Sequence, residues 1–211
     1  MNFDVTLQII VLIMSVVVHE VSHGYMAYWL GDPTAKYAGR LNFNPANHLD
    51  LWGSFIVPFL LIISGSSFLF GWAKPVPYNP YNLRNQKYGP ALVGLAGPLS
   101  NLALALIAGV SLRALLVFGM ADGFLAQFLS MVIFVNILLM VFNLLPIPPL
   151  DGSKLLFTLI PVSDYTKMML EQYGFIFLLV FLYLFQGVFS ALFGVVLSVF
   201  MNYVVGVGGV I

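Results

Sequence analysis

The stretch from Val5 to Leu30 contains a single Asp, Glu, Lys or Arg, which is Glu20. About 20 helical residues cross a hydrocarbon core of about 30 Å, so this stretch is long enough for one membrane span. Gly31-Asp32-Pro33 stops it. It has neither a basic leader nor a small-residue cleavage site, so it reads as a retained span and not a removable signal. The pattern returns at Ala91 to Phe118, where Arg113 alone is charged, and at Phe124 to Leu145, which has no charge. Of the 211 residues, 61% are hydrophobic and 8% charged, whereas a soluble domain carries roughly 25% charged residues. That excludes a soluble globular enzyme and a disordered chain. Eight Lys+Arg balance eight Asp+Glu, so no basic face exists for nucleic acid. The absence of Cys excludes disulfides, thiolate metal sites and a Cys nucleophile.

The expected fold class is an all-α polytopic membrane protein with a single membrane-embedded domain over 1–211. Its three-helix core covers about 5–30, 91–118 and 124–145. Residues 31–90 form a surface or re-entrant segment. Within it, 31–50 read as a small β/loop element at the cytoplasmic membrane face, and 51–72 as a dip into the membrane. Ser153 to Glu171 read as short interfacial helices around Pro161. Residues 173–208 read as C-terminal membrane helices, broken near Gln186-Gly187 into one full span and a shorter piece. If 51–72 dips and returns, Lys36, Arg40, Lys74, Arg84, Lys87, Lys154 and Lys167 share one side, and only Arg113 faces the other. The positive-inside tendency then makes the basic side cytoplasmic.

The chemistry sits inside the first span, in His19-Glu20-Val21-Ser22-His23. Two His at i and i+4 project from one helical face. That spacing lets both imidazoles reach one zinc at about 2.0–2.1 Å. Glu20 is then placed to take a proton from an activated water. In a chain with three His and two Glu, chance produces such a string about once in 2,600 chains of this length. Burying Glu20 in a membrane costs about 2.5–3.5 kcal/mol on insertion scales, so the polar group needs a reason, and a divalent cation supplies one. A catalytic zinc needs a third protein ligand. Asp151 follows the helix break Pro146-Ile147-Pro148-Pro149. Alone it reads equally well as the N-cap of a helix starting near Ser153. Beside the His pair, the ligand reading is favoured.

Three motifs in this order resemble the site-2 protease family of intramembrane zinc metalloproteases. They are His19-Glu20-x-x-His23, Gly97-Pro98-Leu99-Ser100-Asn101, and Asn143 to Asp151-Gly152. Residues 39–53 with Gly71-Trp72-Ala73-Lys74-Pro75-Val76-Pro77 resemble its compact branch without a PDZ domain. The resemblance implies one Zn2+ per chain, held by His19, His23 and Asp151, with Glu20 as general base. It matches Asn143 to a residue that contacts substrate or the developing oxyanion, and Asn101 to a substrate-binding position. His48 is open between a role at the site and a loop His satisfied by Asp50 or backbone. Asn136 reads as a helix–helix hydrogen bond. The implied substrates are single-span membrane proteins in the lipid bilayer, not nucleic acid. The implied location is a multi-pass protein of a prokaryotic inner membrane, its active site open to the cytoplasm. A zinc-binding transporter or a catalytically inactive membrane scaffold is the alternative.

Overall fold

The computed structural model describes residues 5–50, 73–120, 123–160 and 162–207, together with Gly53, Ile56, Leu60 and Ile63. The expected re-entrant dip of 51–72 lies outside the described residues. The helices are α1 Val5–Trp29, α2 Thr34–Tyr37, α3 Gly89–Val117, α4 Phe124–Asn143, α5 Gly152–Leu159, α6 Asp164–Leu184 and α7 Gln186–Phe200. A π-helical turn, Met201–Val205, extends α7. The segments α1, α3, α4, α6 and α7 with its extension are each long and apolar enough to cross a membrane. The chain is a multi-pass membrane protein.

Packing follows from small residues on α3. Gly94, Gly97, Asn101, Ala105 and Ala108 lie on one stripe and are all buried. Such residues let helix backbones approach closely in lipid, where burial of apolar surface no longer drives association. At the C-terminal end of the stripe, Ala105 and Ala108, with Leu112, pack in one cluster with Ile133, Ile137 and Val141 of α4 and Phe200 of α7. α7 runs antiparallel to α4: Phe189 stacks edge-on against Phe142 at 6.0 Å, and Phe193 against Phe134 at 5.3 Å. Its end reaches Arg113, whose guanidinium faces the carbonyls of Tyr203 and Val204 at 3.5 Å.

The loops gather at the opposite end. Lys74 N–H donates to His48 C=O at 2.9 Å, and Arg84 N–H to Leu30 C=O at 2.8 Å, so 31–50 and 73–88 share one end of the bundle. Asp32 ties them together. Its Oδ1 accepts from Thr34 N–H (3.1 Å), Thr34 Oγ1 (2.5 Å) and Asn82 Nδ2 (2.9 Å), and its Oδ2 from Asn79 N–H (2.6 Å). Burial by itself would raise the Asp32 pKa, but these donors hold it below the ordinary carboxylate value.

Three expectations need correction. Among the described residues there is no strand, so the β part of the 31–50 element is absent. Asn42 Oδ1 takes the Asn44 N–H at 3.0 Å, and Asn44 Oδ1 takes the Ala46 N–H at 3.1 Å. These Asx turns satisfy locally the backbone groups a ladder would need. Second, the interfacial piece before 173 is continuous with the following helix. Ser163 Oγ caps the Thr166 N–H at 3.1 Å, and α6 then runs unbroken to Leu184. Third, the break expected near Gln186-Gly187 is found beside it, at Phe185 (φ −116°, ψ 23°), but the piece that follows is not short: α7 with its π turn is long enough to span.

The segments on either side of α6 both reach the loop end of the bundle. α5, just before it, meets the loop ahead of α3, where Thr158 Oγ1 donates to the Lys87 carbonyl at 3.4 Å. Past Phe185, Phe189 already packs on the last turn of α4. We therefore predict that α6 with α7 makes one net crossing. With no Cys in the chain, single Cys residues replacing Asp164 and Tyr203 are its only thiols. An impermeant maleimide should label them from opposite faces of sealed vesicles, whereas same-face labelling would show that α6 and α7 both cross. Separately, Asp32→Ala should cost about 2 kcal/mol, read as a lower Tm in detergent. Since the folded Asp32 pKa lies below its ordinary value, this contribution is complete above about pH 4 and is lost as pH falls through the folded value.

Candidate metal centre

α1 turns His19 and His23 into the bundle one above the other, with their ring centroids 4.6 Å apart. From the far side of the sequence, Asp151 brings Oδ2 to 3.1 Å from both Nε2 atoms. All three residues are buried, and one ligand atom from each lies within 4.8 Å of the others. A tetrahedral zinc with bonds of about 2.0–2.1 Å spaces its ligand atoms about 3.3 Å apart, so this spacing suits it.

Neighbouring hydrogen bonds set the tautomers. His23 Nδ1 donates to the Val93 carbonyl at 2.6 Å, an oxygen that can only accept. His19 Nδ1 donates to Asn101 Oδ1 at 2.5 Å. The Asn101 amide nitrogen donates to Asn136 Oδ1 at 2.8 Å, and Asn136 Nδ2 donates to Ser15 Oγ at 2.9 Å. Each bond in this chain fixes the orientation of the next. With both Nδ1 atoms protonated, the two Nε2 lone pairs converge on a carboxylate oxygen. Three acceptors so placed repel unless a cation lies among them, and the donor set fits zinc. Gly97 of α3 leaves the room: a Cβ there would lie 2.5 Å from His19 Cε1, His19 Nε2 and His23 Nε2.

Asp151 reaches the site through a tight irregular turn. Ile147 N–H donates to Leu145 C=O at 2.8 Å, and Leu150 N–H to Ile147 C=O at 2.9 Å. A Cβ at Gly152 would overlap the Leu144 and Leu145 carbonyls, so only glycine permits the approach. Asp151 occupies the N-cap position of α5, but its side chain makes no capping bond. The carboxylate is committed instead to the His pair and, through Oδ1, to Lys154 Nζ at 2.8 Å. Burial pulls the Lys154 pKa down, yet the Asp151 carboxylate outweighs it and holds it above the ordinary value.

The other predicted residues spread around this centre. Glu20 Oε2 accepts the Val76 N–H at 2.8 Å, which brings the 73–78 loop against α1. Asn101 has its amide engaged between His19 and Asn136. Asn136 is fully buried and links α3, α4 and α1, the helix–helix bond its position had pointed to. Asn143 Nδ2 rests on the Leu139 carbonyl of its own helix at 2.9 Å. His48 is 1% exposed, with Nε2 2.8 Å from the Asn42 carbonyl and Nδ1 unpartnered. Sequence reasoning missed Ser15, Val76 and Lys154. Only Lys154 left a signal, as a cation three residues beyond Asp151 at a helix start, where i and i+3 face each other.

Comparison with known proteins agrees with this chemistry. The model of peptidase family M50 matches residues 118–181, which include Asp151. The chain is 43% identical over 179 residues to YwhC of Bacillus subtilis (strain 168), named as a zinc metalloprotease, covering 82% of this chain and 78% of that protein. It is 30% identical over 171 residues to the zinc metalloprotease Rip2 of Mycolicibacterium smegmatis, covering 81% and 64%. It is 32% identical over 169 residues to Rip2 of Mycobacterium tuberculosis (strain H37Rv), covering 80% and 63%. The chain thus spans a little under two thirds of the Rip2 proteins. No solved structure matches it. With buried His19, His23 and Asp151 grouped as above, the chain belongs to peptidase family M50, the zinc metalloproteases of the site-2 protease family, as a compact YwhC-like member.

Proposed function

We propose that this protein is an intramembrane endopeptidase that hydrolyses peptide bonds in or near the membrane-spanning segment of single-span membrane proteins. The observation that carries the reading is the position of the His–His–Asp centre. It lies between α1, α3 and the turn after α4, all of them apolar membrane elements, with Glu20 beside it. One zinc is the cofactor, held by His19 Nε2, His23 Nε2 and Asp151 Oδ2. Bound there, it supplies a Lewis acid that polarises a carbonyl and lowers the pKa of a water towards about 7.

The rest falls to the chain's own groups. Glu20 is the general base and later returns the proton to the leaving amine. Val76 N–H holds Oε2, which leaves Oε1 to carry that proton. Asn101 and Val93 keep both imidazoles in the ligating tautomer. Asn143 donates its amide to the developing oxyanion after turning from the Leu139 carbonyl, where it rests in the free protein. Arg40, Lys74, Arg84, Lys87 and Lys154 lie at the loop end of the bundle. By the positive-inside tendency that end faces the cytoplasm of a prokaryotic inner membrane, so the site opens to that side.

Glu20→Gln should retain about one zinc per chain while cleavage falls at least about 100-fold. Proteomics of membrane fragments from cells carrying wild type or the variant then names the substrates. Wild type that moves zinc across vesicles but cleaves nothing would put a transporter in place of the protease. Wild type that binds zinc and does neither would leave an inactive scaffold. Gly97→Ala should expel zinc from purified protein, measured by elemental analysis, because the added Cβ meets both imidazoles at 2.5 Å. Full zinc occupancy in that variant would mean that the ligands lie elsewhere.

A further inference from the structure

Asp151 presents one oxygen to two imidazoles, and something has to keep the second from turning in as well. A carboxylate on a short side chain rotates freely unless both oxygens are engaged. Oδ2 lies 3.1 Å from each Nε2, while Oδ1 lies 2.8 Å from Lys154 Nζ. Lys154 is one turn into α5 from Asp151, so its reach is set by the helix. Its stem is pinned as well. A Cβ at Gly94 of α3 would meet Lys154 Cδ at 3.0 Å and Lys154 Cβ at 3.2 Å, so the lysine fills the space that glycine leaves. The ammonium also sits 5.5 Å above the Tyr78 ring, in the loop that carries Val76.

We propose that Lys154 is a positioning residue for the third metal ligand. By holding Asp151 Oδ1, it presents Oδ2 alone to the site. This deepens the zinc-protease reading and rests on it. The same bond gives the buried Oδ1 a charged partner, without which it would lie desolvated. Partners of this kind orient ligating carboxylates, and their loss typically costs 10–100-fold in metal affinity. Among the described residues, the proposed metal ligand that Lys154 Nζ bonds is Asp151, so its effect on the metal passes through that carboxylate.

The test uses the whole protein, purified in detergent and stripped of metal. Zinc affinity is titrated against a chromophoric chelator for wild type, Lys154→Met and Lys154→Arg. Cobalt(II) is titrated in parallel, since its visible bands report ligand number. Lys154→Met should bind zinc about 10–100-fold more weakly, with cobalt bands altered as Asp151 is freed. Lys154→Arg, which keeps a cationic donor, should restore both to within a few-fold of wild type. If Lys154→Met does not fold, Lys154→Gln replaces it on the same two readouts and should show weakened zinc binding. Wild-type affinity with unchanged cobalt bands in the neutral variant overturns the role of Lys154 and leaves the protease reading intact. Wild type that binds no zinc overturns the protease reading itself.

Discussion

Lipid offers buried polar groups no water, so every donor and acceptor placed there must find a partner in the protein. This bundle meets that constraint with one directional run from His19 through Asn101 and Asn136 to Ser15. The run begins and ends on α1 and passes through α3 and α4. Each amide uses its oxygen towards one neighbour and its nitrogen towards the next, so no member can reverse without orphaning another. The register of three helices is thereby tied to the tautomer of one imidazole. Small residues on α3 permit the approach, and the polar run selects the register among the many that small residues allow.

The residues that carry chemistry were legible because their spacing is local. His19 and His23 share a helical face whatever else the chain does, and the apolar runs mark where a membrane can hold it. What joins those segments was less legible. Asn101 lies 82 residues from His19, and Asp151 lies 132 residues away. Periodicity tells which face is buried but not what it meets. The proline break beside the His pair already favoured Asp151 as a ligand and the motif resemblance agreed, while the link from His19 to Asn101 is visible only in the structure. The 31–50 loop shows a second limit. Asn42, Asn44 and Asn47 are compatible with a strand edge or with turns, and the turns prevail because each side chain reaches a group only a few residues away.

α6 shows a third limit. Hydropathy and length are necessary for a span, but the direction in which a helix leaves its neighbours decides whether it crosses. The second half of α6 is anchored to the turn that carries Asp151. Gly174 lies against Pro148, and Leu178 packs with Leu145 and Leu150. The helix therefore buttresses the Asp151 turn from outside, while Gly152 and the Lys154–Asp151 bond tighten it from inside. A carboxylate delivered by an irregular segment gains from such bracing, because a site residue displaced by an ångström loses much of its worth.

Depth follows from the same framework. His23 is six residues before the end of α1, and Gly97 is eight residues after the start of α3. At 1.5 Å per residue both lie about 9–12 Å below the loop end. The centre is thus displaced from the middle of the bundle towards the basic loops. Water entering from that end has only about one third of the hydrocarbon thickness to cross, and the 73–78 loop, through Val76, already stands at Glu20. On the proposed mechanism, an enzyme that must bring a polar reactant into lipid gains by placing its base near the wet end of a span, and Glu20 lies towards that end of α1.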